Sequence, residues 1–333
     1  MIRLPSTIEA ANRSATIEDV LALSQRLSNW GRWGAEDQVG TVNLITPAKV
    51  REGAACIRTG RQFSLAVPFN QQGPQTGLTA RFNPMLFMTR DGNDIATDAI
   101  RRLPRYTHEC HSRFTDDVWV LPSQAGTQWD ALAHCIHDNR MYNGFSADKV
   151  ASWGTTHCGI EVWKDRIASR GVLLDLPRWC GRDWLDPGEA IFARHLEECA
   201  AAQGVAIGSG DIVLVRTGAI SACHAAGRWG DYAGGNAPGL AIDAAEWIRR
   251  HDLAGVATDT WGAEVRPNQT DDVFQPFHIV ALVYMGLLLG EIFDLDALAA
   301  DCAADGQYDF QFFAPPLPMT GAVGAPINPI AIK

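Results

Sequence analysis

Apolar positions fall into short blocks along the chain, and the spacing inside each block predicts its local structure. Val20, Leu21, Leu23 and Leu27 share one broad helical face after Thr16, predicting a helix that opens the chain as an arm. Thr46 as N-cap and Pro47 at the first helical position predict a second, short helix. Residues 61–67 predict a strand, residues 70–79 a polar loop, and residues 117–121 a further strand running toward position 123. Residues 171–176 and 211–216 are short and almost wholly apolar, the pattern of strands buried on both faces of a sheet. Between them, Ile191, Phe192, His195 and Leu196 stand at helical spacing within a helix predicted over 189–203. A further helix over 242–251 leads to a strand over 255–260. Residues 277–289 are apolar throughout and fit either a strand or a buried helix, and the Pro- and Gly-rich residues 312–332 are expected to run extended over the sheet.

Strands alternating with helices predict a mixed α/β fold with a central mixed sheet. Residues 1–35 read as an N-terminal helical arm and residues 36–333 as one catalytic domain, since no repeat, low-complexity tract or linker divides the chain. Hydrophobic residues make up 47% of the sequence, enough for a large core, and the net charge of −10 carries no Lys/Arg cluster. That balance excludes nucleic acid and anionic membrane as expected partners. The longest apolar run is shorter than the ~20 residues of a bilayer span, and the N-terminus shows no secretion signal, so a cytoplasmic location is expected. Eight cysteines occur without any Cys-x-x-Cys pair, which predicts packing thiols in place of a zinc or dithiol redox site.

The chemistry concentrates in residues 123–134, Ser-Gln-Ala-Gly-Thr-Gln-Trp-Asp-Ala-Leu-Ala-His. Extended backbone would turn Gln124, Gly126, Gln128 and Asp130 to one face, with Gly126 leaving room for a close approach. His134 follows four residues after Asp130, so one helical turn would keep the two adjacent. Oxygen ligands beside an imidazole are what a metal-activated water and its proton carrier require.

This run resembles the signature of the cyclase superfamily that includes bacterial kynurenine formamidases and isatin hydrolases, His-x-Gly-Thr-His-x-Asp-x-x-x-His. Here it stands as Gln124-Ala125-Gly126-Thr127-Gln128-Trp129-Asp130-Ala131-Leu132-Ala133-His134. Residues 171–175, 210–218, 237–240, 259–260, 278–291 and 317–330 resemble the family too, so the likeness runs from about residue 30 to the C-terminus. The resemblance implies a swivelling β/β/α fold, a homodimer or homotetramer, and hydrolysis of an amide, lactam, lactone or formamide bond in a small cyclic or aromatic compound. It also implies one divalent metal ion (Mn, Mg or Zn) at positions 124, 128, 130, 278 and 291, here Gln124, Gln128, Asp130, His278 and Glu291. His134 takes the place of the general acid/base. Trp129, Asp259 and Trp261 are candidate substrate contacts.

Both early motif histidines are glutamine in this chain, and a neutral amide oxygen is a hard ligand suited to Mg²⁺, Mn²⁺ or Ca²⁺ over zinc. A harder single metal, a metal-free lyase, isomerase or cyclase using Asp130 and His134, and a catalytically silent binding protein are the readings that follow. His108 and His111, and His157 with Cys158, are read as loop or structural residues, His137 as either lining the same pocket as His134 or facing solvent, and the Gly-rich residues 234–239 lack the context of a nucleotide-binding loop.

Overall fold

The computed structural model describes residues 7–11, 15–97 and 112–333; His108, Cys110 and His111 lie outside them. At its centre is a curled nine-stranded mixed sheet. The strands lie in the order Gln62–Ser64, Ile330–Ile332, Asp309–Phe313, Ala168–Asp175, Ile212–Arg216, Gly255–Thr258, Leu288–Glu291, Gln128–Asp130 and Gly324–Pro326. The Ala168–Asp175, Ile212–Arg216, Gly255–Thr258 and Leu288–Glu291 strands run parallel, and the flanking strands pair antiparallel. The apolar runs of the parallel strands are explained by cover on both faces: Val172, Leu173, Leu174, Val213, Leu214, Val256 and Leu289 are all buried in one core.

The predicted helices at the start of the chain are present with their caps. Thr16 and Asp19 form a reciprocal capping box on the Ile17–Leu27 helix. Its Val20, Leu23 and Leu27 join the main core. Thr46 accepts the Lys49 N–H at the start of the Pro47–Ala55 helix.

Three segments differ from the sequence reading. The helix expected over 189–203 begins only at Ala193, because Ala190–Ile191 pairs in parallel with Gly239–Leu240. Ile191 and the first helical turn face the same core, so their apolar spacing reads straight through the break. The ambiguous 277–289 run is both structures in turn: a Pro276–His278 helical turn, a π-helix over Ile279–Met285, a reversal at Gly286 and the Leu288–Glu291 strand. Residues 312–332 do not lie over the sheet but enter it, at Asp309–Phe313, Gly324–Pro326 and Ile330–Ile332. Sheet pairing satisfies backbone donors and acceptors that buried extended chain would otherwise leave open.

Outside the sheet, Met85–Arg90 and Asp116–Val120 form a separate, exposed two-stranded ribbon. The chain enters that ribbon just after Arg81 and leaves it just before Pro122, both on the wall of the site described next. Among the described residues no helix is long and apolar enough to cross a membrane.

Candidate active site

The site is built where two strands meet in opposite directions. Gln128–Asp130 pairs with Leu288–Glu291 so that Gln128 stands opposite Glu291 and Asp130 opposite Leu289. Alternation along the strand then sends Gln128 and Asp130 to the face occupied by Glu291, and Trp129 to the other. Gln128 Nε2 donates to Glu291 Oε2 at 2.8 Å and approaches Asp130 Oδ1 at 3.5 Å. Across the sheet, Trp129 packs on Phe293 and Phe312 and donates to the Ala314 carbonyl. Gly290 is required there: a Cβ on it would lie 2.5 Å from the Trp129 ring.

His278 reaches the same point by a hairpin of unlike arms. The buried π-helix carries the chain away from His278 and the strand brings it back, each arm covering roughly 10 Å. Glu264 anchors the start of this segment. Its carboxylate accepts the Phe277 and His278 backbone N–H groups at 3.2 Å each, and lies 2.6 Å from His278 Nδ1. Nδ1–H is therefore committed to Glu264, and Nε2 is aimed at Glu291 Oε1 (3.2 Å) and Asp130 Oδ2 (3.9 Å). Burial works against a charged imidazole, but hydrogen bonds to Glu264 and Glu291 outweigh it and raise the His278 pKa. Glu291 also moves up, through burial first and the Asp130 charge second.

His134 sits on the rim, held by a turn closed from its N–H to the Ala131 carbonyl and not by a helix. Its Nε2 lies 3.8 Å from Asp130 Oδ1 and 3.4 Å from Arg81 Nη2. A guanidinium only donates, so this contact calls for a lone pair on Nε2. The Gln124 amide nitrogen, 3.5 Å from Nδ1, is also a donor, so both ring nitrogens face donors. Burial lowers the His134 pKa; Asp130 opposes this and Arg81 adds to it, leaving a neutral base with its basic nitrogen beside Asp130. Gln124 thus contacts His134 and not the Asp130 cluster, because only residues 128–130 of the predicted extended run form a strand. The room left by Gly126 is taken by Phe69, whose ring would lie 3.0 Å from a Cβ there.

These groups open on a pocket of about 380 Å³ whose wall includes Arg81, Pro122, Gln124, His134, Trp261, Phe274, Gln275, His278 and Glu291. Trp261 is a wall residue, fixed by its indole N–H to Gln75 Oε1 at 3.1 Å, and Gln75 in turn donates to the Gln124 and Ala125 carbonyls. Two of the candidate substrate contacts are corrected. Trp129 lies across the sheet, fully buried. Asp259 is a strap between strand ends, accepting the Thr217 N–H and hydroxyl on Oδ1 (2.8 and 2.7 Å) and the Gly218 N–H on Oδ2 (2.7 Å). Asp259→Asn turns an amide donor against these donors, and is expected to cost about 1–3 kcal/mol of stability in denaturant unfolding. His137 faces Tyr284 outside the pocket, and His157 packs on Phe145. Cys135, next to His134, is pushed up to about 12 by burial, so it offers no thiolate.

Sequence reasoning missed Glu264, Arg81 and Gln75. Glu264 stands alone between Ala263 and Val265, and Arg81 and Gln75 lie in or beside a polar loop, so no spacing signals any of them.

The donor set has the chemistry of a divalent-cation site. One ligand atom each from Asp130, His278 and Glu291 lie within 4.8 Å of one another, all buried. Asp130 Oδ2 and Gln128 Oε1 are buried without a hydrogen-bond partner, the condition of atoms that face a cation. With Nδ1–H held by Glu264, Nε2 is the atom that would give up its proton to ligate a cation, as in metal-binding histidines oriented by a carboxylate. These residues fit one divalent ion.

A family model described as "Putative cyclase" matches residues 45–265. Among solved structures, one described as a novel cyclase is 37% identical, covering 93% of this chain and 99% of its own, with a TM-score of 0.82. An isatin hydrolase bound to the product analogue thioisatinate is 17% identical, covering 85% of this chain and 94% of its own, with a TM-score of 0.56. Isatin hydrolase A from Ralstonia solanacearum is 18% identical, covering 86% and 95%, with a TM-score of 0.55. At those identities the isatin hydrolases share the fold. No curated protein matches the chain. His278 and Glu291 lie beyond the matched residues 45–265, and the fold brings them beside Asp130.

Proposed function

The chain belongs to the cyclase family, and from that premise we propose that it hydrolyses an amide, lactam, lactone or formamide bond in a small cyclic or aromatic compound with the help of one divalent metal ion. The observation that carries the reading is the convergence of Asp130, His278 and Glu291, with an unpartnered Asp130 oxygen, beside a neutral histidine on the pocket wall. Asp130, His278 and Glu291 would hold the cation, with Gln128 Oε1 as a fourth, hard donor. When bound, the cation supplies Lewis acidity toward the substrate carbonyl and lowers the pKa of water.

The remaining work falls to side chains. His134 Nε2 accepts a proton from the attacking water and returns it to the departing nitrogen or oxygen. Asp130, 3.8 Å away, steadies the imidazolium formed between those two events. Trp261, locked by Gln75, shapes the apolar part of the pocket wall. Two carboxylates, one imidazole and an amide make a harder donor set than a two-histidine site, which favours Mn²⁺ or Mg²⁺ over Zn²⁺.

A metal-independent reading draws on two specific contacts: Gln128 Nε2 and His278 Nε2 together occupy both Glu291 oxygens without a cation. Elemental analysis, with turnover of lactams, lactones, imides and formamides before and after chelation, separates the two. The expected result is near-stoichiometric Mn or Mg and loss of turnover on chelation, restored by adding the ion back; full turnover in metal-free protein would reject it.

A further inference from the structure

We propose that the pocket takes substrates bearing a carboxylate of their own, read by Arg81 and Arg266 on the Trp261 side of the site. This rests on the hydrolase reading for the identity of the pocket and adds the class of compound that enters it. Elsewhere in the molecule partly buried guanidinium groups are paired: Arg32 with Asp252, Arg170 with Asp211, Arg182 with Glu189 and Arg216 with Asp175. Arg81 and Arg266 are exceptions. Among the described residues neither forms an ion pair, and Arg81 has only the long contact to His134 Nε2.

Both guanidinium groups lie over the same ring, Arg81 at 5.0 Å and Arg266 at 5.7 Å from the Trp261 centroid. Arg266 also lies over Phe274, at 5.3 Å, and its Nη1 is buried without any hydrogen-bond partner. Trp261, Phe274 and Arg81 all line the pocket. A buried donor left unmade is costly, and a cation over an aromatic face recovers only part of its lost hydration. Arg81 stands on the pocket wall, and Arg266, outside that lining, lies over the same ring with its unpartnered Nη1; guanidinium donors of this kind match a planar oxyanion in pairs.

The acidic residues nearby make the need specific. Glu291 lines the same pocket as Arg81, Glu264 acts on Arg266, and the chain carries a net charge of −10, so an anionic substrate would be repelled without these cationic groups beside the carboxylates. With them, the carboxylate is held at Arg81 and Arg266, and the scissile carbonyl faces His134 and Asp130. The resulting selectivity is for acid-bearing lactams, amides or lactones over their neutral counterparts.

The test uses two flat isosteres that the enzyme cannot hydrolyse, benzoate and nitrobenzene, binding to the protein as purified and followed by calorimetry. Benzoate is expected to bind at least about tenfold more tightly, a ratio that falls to within about twofold in Arg81→Met and in Arg266→Met and is partly kept in Arg81→Lys. Equal affinities in the unmodified protein overturn the proposal. So does a preference kept in both Met variants but lost in Asp130→Asn, which would assign the carboxylate to the acidic cluster and its cation. Circular dichroism of each variant checks folding, and Arg81→Lys supplies the answer if a Met variant fails to fold. Because binding is read without turnover, the hydrolase reading fails separately, by the absence of turnover on every compound class.

Discussion

His134→Ala is expected to lower kcat by about 10²–10⁴-fold while leaving metal content and fold unchanged, the loss typical of a positioned acid/base. The side chain is 24% exposed on the rim, so its removal opens little space in the core. It is not among the three clustered ligand-type residues, which is why metal content is the control. Turnover and elemental content measured on the same preparation check both halves. The pH dependence supplies an independent readout. Burial, assisted by Arg81, lowers the His134 pKa, so the imidazole stays neutral to a pH below the ordinary histidine value of ~6.5. The acidic limb of kcat/KM attributable to His134 therefore falls below that value, and disappears in the alanine variant. An unchanged limb in the variant would assign it to another group.

His278→Ala should have the larger structural effect. It removes the partner of two buried carboxylates at once: Glu264, 2.6 Å from Nδ1, and Glu291, 3.2 Å from Nε2. Glu264 and Glu291 are each 2% exposed. Breaking a buried pair from one side costs about 3–5 kcal/mol, because the charge left behind has neither water nor counter-ion. Denaturant unfolding at neutral pH should show a loss of that size together with loss of bound metal. His278→Gln restores a donor toward Glu264 and should recover part of the stability without the metal. A variant as stable as the parent would mean that the two glutamates are already neutral, and the site would need a different charge assignment.

The two variants separate proton transfer from architecture, and the difference follows from how each residue is held. His134 hangs on a turn at the pocket rim. His278 is wedged between a helix start capped by Glu264 and a strand ending in Glu291.

Much of this molecule was legible one segment at a time. The caps at Thr16 and Thr46, the apolar strands around residues 172 and 213, and the closeness of Asp130 to His134 are set within a few residues, where spacing and side-chain chemistry act directly. The strand face shared by Gln128 and Asp130 was legible for the same reason. Gln124 was not: the alternation was extended past the point where the strand begins, and the chain there folds back over Gln75.

What could not be read locally is which residues from separate segments share the pocket. Glu264 and Arg81 enter through strand order and loop path, while Trp129 and Asp259 leave it, one across the sheet and the other into a backbone strap. The ambiguous 277–289 run shows the reason. Its apolar side chains would suit a helix or a strand equally, and burial against the sheet and under the Ile17–Leu27 helix selects a helix that turns into a strand. Short-range propensity decides which elements form. The packing of those elements, which no stretch of sequence contains, decides which of their side chains meet.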